Sequence, residues 1–146
     1  MKLKFIFLGK KDLSSLSILI DKYLKRLNTY VKSELLFFPE KNSKKLDQKI
    51  SKHITRKSHL IILDEHGMSP DTLKYAKFIQ NKMIHCDSLI FIVGSAYGVP
   101  AQLLNRENSI ISLSSMTLPH LIARLILVEQ TYRAFSILNN HPYHHE

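Results

Sequence analysis

Apolar and polar positions follow one another in short blocks along the chain, and each block has the period of one strand or one helix. Short apolar runs that end at glycine, proline, serine or an acidic residue predict five β-strands, at residues 2–9, 31–38, 59–64, 88–94 and 109–114. The run at 59–64 is apolar until its terminal acid, which is typical of a strand covered on both faces.

Helical spacing of apolar residues separates these strands and predicts helices at about residues 13–27, 40–54, 70–83, 100–105 and 118–138. The second helix is rich in lysine and is expected to be exposed. Ser69 is expected to cap the third helix, with Pro70 at its first position and Asp71 in its first turn. Strands that alternate with helices indicate an α/β fold with a mainly parallel sheet flanked by helices.

The final helix differs from the others, because its apolar residues occur around most of its circumference. One face packed inside a single chain cannot cover all of them, so the pattern predicts a partner surface. Its polar residues come in pairs four apart, His120 with Arg124 and Glu129 with Arg133. For Glu129 and Arg133, a structural ion pair at an interface and a direct functional role both remain open.

Length and composition favour one domain. A chain of 146 residues with 45% hydrophobic positions can bury one sizeable core, so we expect a single domain over residues 1–146. No apolar run reaches the roughly 18 residues of a membrane span, and the first run is too short for a signal peptide. We therefore expect a cytoplasmic protein with no membrane partner. The single cysteine, Cys86, excludes an internal disulfide, and packing is its expected role.

Positive charge is concentrated in one half of the chain. The formal net charge is +9, and residues 1–60 hold fifteen Lys or Arg against five acids, whereas residues 61–146 hold six against seven. Any single lysine-rich block can be an ordinary solvated helix face. An excess of ten charges within sixty residues also attracts phosphate polyanions, so RNA or DNA is a candidate partner.

Three predicted strands end in loops with ligand-binding chemistry, at residues 63–67, 93–98 and 112–119. In open α/β sheets, ligands bind beyond the carboxyl ends of the strands. Glycine lets the backbone approach a ligand closely, and serine and threonine add hydrogen-bonding groups. The glycine-rich turn lacks the spacing of a dinucleotide fingerprint or a phosphate loop, so the pattern favours neither NAD nor ATP.

The stretches "FIVGSAYG", "ISLSSMTLPHLIARLILVEQTYRA" and "HPYHH", together with the start "KLKFIFLGK", resemble the RlmH family. These are SPOUT-class methyltransferases that modify a pseudouridine in 23S ribosomal RNA. The resemblance implies a homodimer, a C-terminal trefoil knot over about residues 59–146, and methylation of the N3 atom of pseudouridine by S-adenosylmethionine. Besides the second copy of the chain, the resemblance implies ribosomal RNA as a partner, in the large subunit or the assembled ribosome.

Carried over by position, the family's cofactor site falls on eight residues: Leu63, Gly94, Leu113, Ser114, Ser115, Met116, Thr117 and Leu118. Three further residues receive catalytic roles. Arg124 would favour the deprotonated base, Tyr143 would stack on the target base, and His144 would contact phosphate or accept the N3 proton. In the implied dimer, the tail of one subunit lies near the cofactor pocket of the other.

The chain departs from the family pattern at two positions, with Ser95 in place of a second glycine and Met68 in place of a lysine. The tail histidines (His141, His144 and His145) have no acid or cysteine at the spacing of a closed metal site, so no metal is expected. Two alternatives to the rRNA methyltransferase remain: a non-catalytic RNA-binding module on the same fold, and a tRNA methyltransferase of the same class.

Overall fold

The computed structural model describes residues 1–106 and 108–145, which form five β-strands and five α-helices. The strands are β1 (Lys2–Leu8), β2 (Lys32–Phe38), β3 (Ser58–Met68), β4 (Ser88–Val93) and β5 (Ser109–Ile111). The helices are α1 (Ser15–Leu27), α2 (Ser43–Ser51), α3 (Thr72–His85), α4 (Ala101–Leu104) and α5 (His120–Leu138). Glu146, the last residue of the histidine-rich tail, lies outside the described residues.

The strands form one sheet in the order β2-β1-β4-β3-β5, and every pairing between them is parallel. Alternate side chains of β1 and β4 enter two separate cores, as the period of a strand requires. Helices α1, α3 and α5 cover one face of the sheet, while α2 and α4 cover the other. The predicted α/β fold with a parallel sheet flanked by helices is therefore confirmed.

Several predicted boundaries are wrong, and each has a local cause. The N-cap of α3 is Asp71 rather than Ser69, because the Asp71 carboxylate accepts a hydrogen bond from the Lys74 amide at 2.8 Å. Strand β3 continues past the expected end through a bulge, which lets Met68 pair with Ile111 of β5. Strand β5 ends at Ile111 and α5 begins at His120, so residues 112–119 form a longer loop than the sequence predicts.

Helix α2 is less exposed than expected. Lys44 and Lys45 are exposed, but Leu46 and Ile50 are buried against the sheet. Among the described residues, no helix combines the length and apolar character needed to cross a membrane.

Where β3 approaches β5, the two backbones leave no room for a side chain. A Cβ atom added to Gly67 would lie 2.6 Å from the carbonyl carbon and oxygen of Ile110 and 2.7 Å from the amide nitrogen of Ile111. Just beyond, the Ser112 amide donates to the Met68 carbonyl at 2.8 Å. This contact fixes the start of the loop that leads from β5 to α5.

We expect Gly67→Ala to destabilise the protein by about 1–3 kcal/mol, because both neighbours that must shift are backbone atoms. Urea unfolding followed by circular dichroism measures the loss. The matched control is Ser69→Ala in the same exposed connection, which should change stability by less than about 0.5 kcal/mol. An unchanged midpoint for Gly67→Ala would show that the two strands are not held this closely.

Candidate functional site

The carboxyl ends of β3, β4 and β5 surround a cavity of about 290 Å³, here called the strand-end cavity. The three loops that the sequence singles out all contribute to it. Seven of the eight residues predicted to bind the cofactor line it: Leu63, Gly94, Leu113, Ser114, Met116, Thr117 and Leu118. Ser115 is exposed and is not among the lining residues. The structure thus brings distant turns together at one place.

The turn after β4 is held in a tight shape. Gly98 has a φ angle of +82°, which favours glycine, and its amide donates to the Ser95 carbonyl at 2.9 Å. A Cβ atom on Gly94 would lie 2.7 Å from the carbonyl carbon of Gly98, so this position also excludes a side chain. The Ser95 hydroxyl accepts a hydrogen bond from the Tyr97 amide at 3.2 Å. Ser95, which departs from the family pattern, therefore helps to build the turn.

The loop from β5 to α5 is shaped by its own serines. The Ser112 hydroxyl donates to the Ser114 carbonyl at 2.6 Å, and the Ser114 hydroxyl accepts from the Met116 amide at 2.9 Å. The Thr117 hydroxyl donates to Glu65, whose carboxylate lies with Asp64 at the rim of the cavity. The strand-end cavity therefore combines leucine walls, loop backbone and an acidic rim.

His120, the first residue of α5, also lines the strand-end cavity. Burial lowers the pKa of its imidazole, and the positive charge of Arg124 one turn later lowers it further. The ring is therefore neutral near pH 7, where it can both accept and donate a hydrogen bond.

Arg124 does not reach the strand-end cavity. Its side chain is 2% exposed and donates to the carbonyl oxygens of Leu8 at 3.1 Å and Lys10 at 3.2 Å. The guanidinium also lies over the rings of Phe7 and Phe37, at 5.2 and 5.6 Å from their centres. Burial lowers its pKa, and nearby Asp12 opposes that shift. Within the chain, Arg124 ties the end of β1 to α5, and its catalytic role stays a prediction.

The C-terminal tail packs against the middle and the second half of α5. The Tyr143 hydroxyl donates to the Glu129 carboxylate at 3.0 Å, and the Arg133 guanidinium lies 4.7 Å from the centre of the Tyr143 ring. Arg133 also contacts Glu129 at 2.6 Å and the Nδ1 atom of His144 at 3.2 Å. Burial and the hydrogen bond to Glu129 raise the pKa of Tyr143 above its usual value. The paired spacing of Glu129 and Arg133 thus corresponds to a real ion pair.

The three residues with predicted catalytic roles do not meet within one chain. Helix α5 spans 19 residues, about 28 Å at the usual helical rise. Its first residue lies at the strand-end cavity, whereas Tyr143 and His144 pack against Glu129 and Arg133, roughly 14 and 20 Å further along the helix axis. Arg124 lies between them, in the core.

Sequence reasoning missed a second cavity, of about 610 Å³, between the ends of β1, β2 and β4. Lys10, Lys41 and Tyr97 line it, and His120 belongs to both cavities. The sequence did contain a signal for this cavity. In a parallel sheet, β1 and β2 must end at the same edge as β3, β4 and β5, so their loops also lie where ligands bind.

A parallel sheet with a cavity at the ends of three strands defines the class, an α/β protein with a candidate ligand site beyond its strands. The family model described as "Predicted SPOUT methyltransferase" matches residues 1–144. The chain belongs to this SPOUT methyltransferase family.

Relatives named ribosomal RNA large subunit methyltransferase H agree with that assignment over their full length. The protein from Flavobacterium johnsoniae is 37% identical across the whole of both chains. The one from Trichlorobacter lovleyi is 35% identical over 99% of this chain and all of its own. A solved probable methylase family protein from Haemophilus influenzae has the same fold, with a TM-score of 0.54 at 13% identity, over 94% of this chain and 66% of its own.

We expect the ring of His120 to titrate below its ordinary value of about 6.5, as measured by NMR chemical shifts against pH. The unfolded chain then binds this proton at a higher pH than the folded chain does. Stability should therefore fall as the pH drops from about 6.5 to the lower folded value. Arg124→Gln removes one of the two causes and should move the pKa of His120 upward. A wild-type ring that titrates above pH 6.5 would contradict this description.

Proposed function

We propose that the chain is an S-adenosylmethionine-dependent methyltransferase that modifies the N3 atom of a pseudouridine in 23S ribosomal RNA of the large subunit. The observation that carries the proposal is the strand-end cavity, formed by three distant loops in a chain of the SPOUT methyltransferase family. Full-length relatives at 34–38% identity bear the name of a large-subunit rRNA methyltransferase. This substrate places the reaction in the cytoplasm.

The lining of the strand-end cavity fits the methyl donor. Leu63, Leu113 and Leu118 offer apolar walls to the adenine ring, while loop amides and carbonyls can pair with its polar edge. Asp64 and Glu65 at the rim carry the charge opposite to that of a sulfonium and an ammonium group. When bound, S-adenosylmethionine supplies an electrophilic methyl group.

The chain's own contribution is to orient the acceptor base and to help its N3 proton leave. A neutral imidazole can accept a proton, and His120 at the cavity is one candidate. The side chain of His144 in the tail is the second candidate acceptor. The buried positive charge of Arg124 favours the anionic form of a base held nearby. Tyr143 supplies a ring that can stack on that base.

The active form in this proposal is a homodimer. Three apolar side chains of α5, those of Ile122, Leu125 and Ile126, are only half-buried within one chain. A second copy would cover these apolar side chains. It would also bring its own Tyr143 and His144 to the strand-end cavity, which the tail of the same chain does not reach.

The proposal includes a trefoil knot over about residues 59–146, although an unknotted chain is the usual expectation. The match of the SPOUT methyltransferase family model to residues 1–144 supports it. The hydrogen bond from Ser112 to Met68 and the tight passage of Gly67 beside Ile110 hold the start of the loop after β5 against the end of β3.

The test is methyl transfer from labelled S-adenosylmethionine to ribosomes that lack this modification, followed by mapping of the modified nucleotide. We expect one methyl group on a 23S pseudouridine. Two other outcomes would overturn the proposal. Transfer only to tRNA would show a different enzyme of the same class, and the absence of cofactor binding in calorimetry would show a non-catalytic RNA-binding module.

Replacing the tail side chains should reduce turnover without loosening the cofactor. We expect Tyr143→Ala and His144→Ala each to lower turnover by about tenfold or more, since stacking and proton transfer are each worth at least that much. Calorimetry with S-adenosylmethionine should give the wild-type affinity. His141→Ala, an exposed position in the same tail, is the control and should keep full activity. Full turnover in both variants would remove the tail from the mechanism.

Mixed dimers test whether the tail acts on the partner's cavity. Ser114→Trp fills the strand-end cavity and Tyr143→Ala removes the tail ring, so each variant alone should lose about tenfold or more in turnover. After unfolding and refolding together, random pairing should restore about a quarter of wild-type activity, because each mixed dimer keeps one intact site. No recovery, with mixed dimers present by mass spectrometry, would mean that the tail serves its own chain.

A further inference from the structure

The second cavity adjoins the strand-end cavity, and most of its lining comes from parts of the chain that the strand-end cavity does not use. Its walls are the loop after β1, the loop after β2, the start of α2 and the outer side of the Ser95–Gly98 turn. The two cavities share five residues: Ser95, Ala96, Gly98, Val99 and His120. Its volume of about 610 Å³ lies within the range of about 300–1,000 Å³ that is usual for ligand sites.

The charge of the second cavity is opposite to that of its neighbour. Lys10 and Lys41 are exposed at its wall, and neither forms an ion pair with any residue in 1–106 or 108–145. Its acid, Glu40, is paired with Lys49 at 2.6 Å, and this contact lowers the pKa of Glu40. The unpaired charge at this cavity is therefore positive, which suits an anionic ligand.

Two further features fit a nucleotide. Tyr97 stands at the tip of the tight turn with 96% of its surface exposed, so its ring is open to an unpaired base. On the other side, the buried guanidinium of Arg124 donates to the carbonyl of Lys10, at 3.2 Å, and fixes the backbone from which this lysine extends. Tyr97 and Lys10 thus line the same cavity, and hydrogen bonds hold the backbone at both positions.

We propose that the second cavity receives the RNA strand around the target nucleotide, with Lys10 and Lys41 contacting its phosphates and Tyr97 stacking on a base. This inference rests on the proposed methyltransferase function. The strand would enter from the lysine side, and the acceptor base would meet the methyl donor where the two cavities join, beside His120.

Three variants test this site: the pair Lys10→Gln with Lys41→Gln, Tyr97→Ala, and Tyr97→Phe. We expect the lysine pair to raise the KM for unmodified large ribosomal subunits by about tenfold and to flatten the dependence of log affinity on log salt by about 1.4, or 0.7 for each lost phosphate contact. Tyr97→Ala should raise the KM by about tenfold, and Tyr97→Phe should restore it, because phenylalanine keeps the stacking face.

The control is Lys74→Gln with Lys77→Gln, a matched change of charge at exposed positions of α3. It should leave the KM within about twofold of wild type, and every variant should bind S-adenosylmethionine normally in calorimetry. Equal KM and salt dependence in the two lysine pairs would overturn the site while leaving the methyltransferase intact. If the wild type transfers no methyl group, the binding of a labelled single-stranded RNA oligonucleotide decides, and equal affinities would again overturn the site.

Discussion

The close approach of β3 and β5 is the contact on which the rest of the site depends. Strand β5 has only three residues. Its partner, β3, continues through a bulge to Met68, where it still pairs with Ile111 at the end of β5. The approach works only because Gly67 has no side chain to meet the Ile110 backbone. This contact fixes the start of the loop from β5 to α5. That loop can then line one cavity together with the loops that follow β3 and β4.

Charge is sorted along the same edge of the sheet. The rim of the strand-end cavity has two carboxylates, whereas the second cavity has lysines and an acid already paired with Lys49. The positively charged half of the chain, residues 1–60, contributes the loops after β1 and β2. Because β1 pairs with β4, these loops lie next to the strand-end loops of the nearly neutral half. A cationic donor and an anionic substrate can thus occupy adjacent places without competing for the same groups.

The sequence was most informative where local chemistry decides the structure. Apolar runs and their closing residues located all five strands, and glycine and serine at strand ends marked the cavity loops. Spacing on α5 could not tell which neighbour Arg124 meets, because that depends on how the helix packs over the end of β1. Tyr97 was missed as well, because the pattern places it in a glycine-rich turn but does not show that its ring is exposed beside the second cavity. Ser69 and Asp71 are both suitable N-cap residues by sequence. Which of them caps α3 depends on one hydrogen bond, from the Lys74 amide to the Asp71 carboxylate, which the sequence pattern does not reveal.

Helix α5 sets the distance between the two chemistries of the proposed enzyme. Its first turn reaches the strand-end cavity, whereas Glu129 at its midpoint and Arg133 one turn later hold Tyr143. About half of the helix, roughly 14 Å, therefore separates the cavity from the first tail contact. A rigid helix cannot fold back on itself, and the tail is already secured by Arg133. The tail does not line the strand-end cavity of its own chain, so in the proposed enzyme it acts on a different copy of the chain. The half-buried apolar side of α5 then has a reason to remain uncovered in the single protomer.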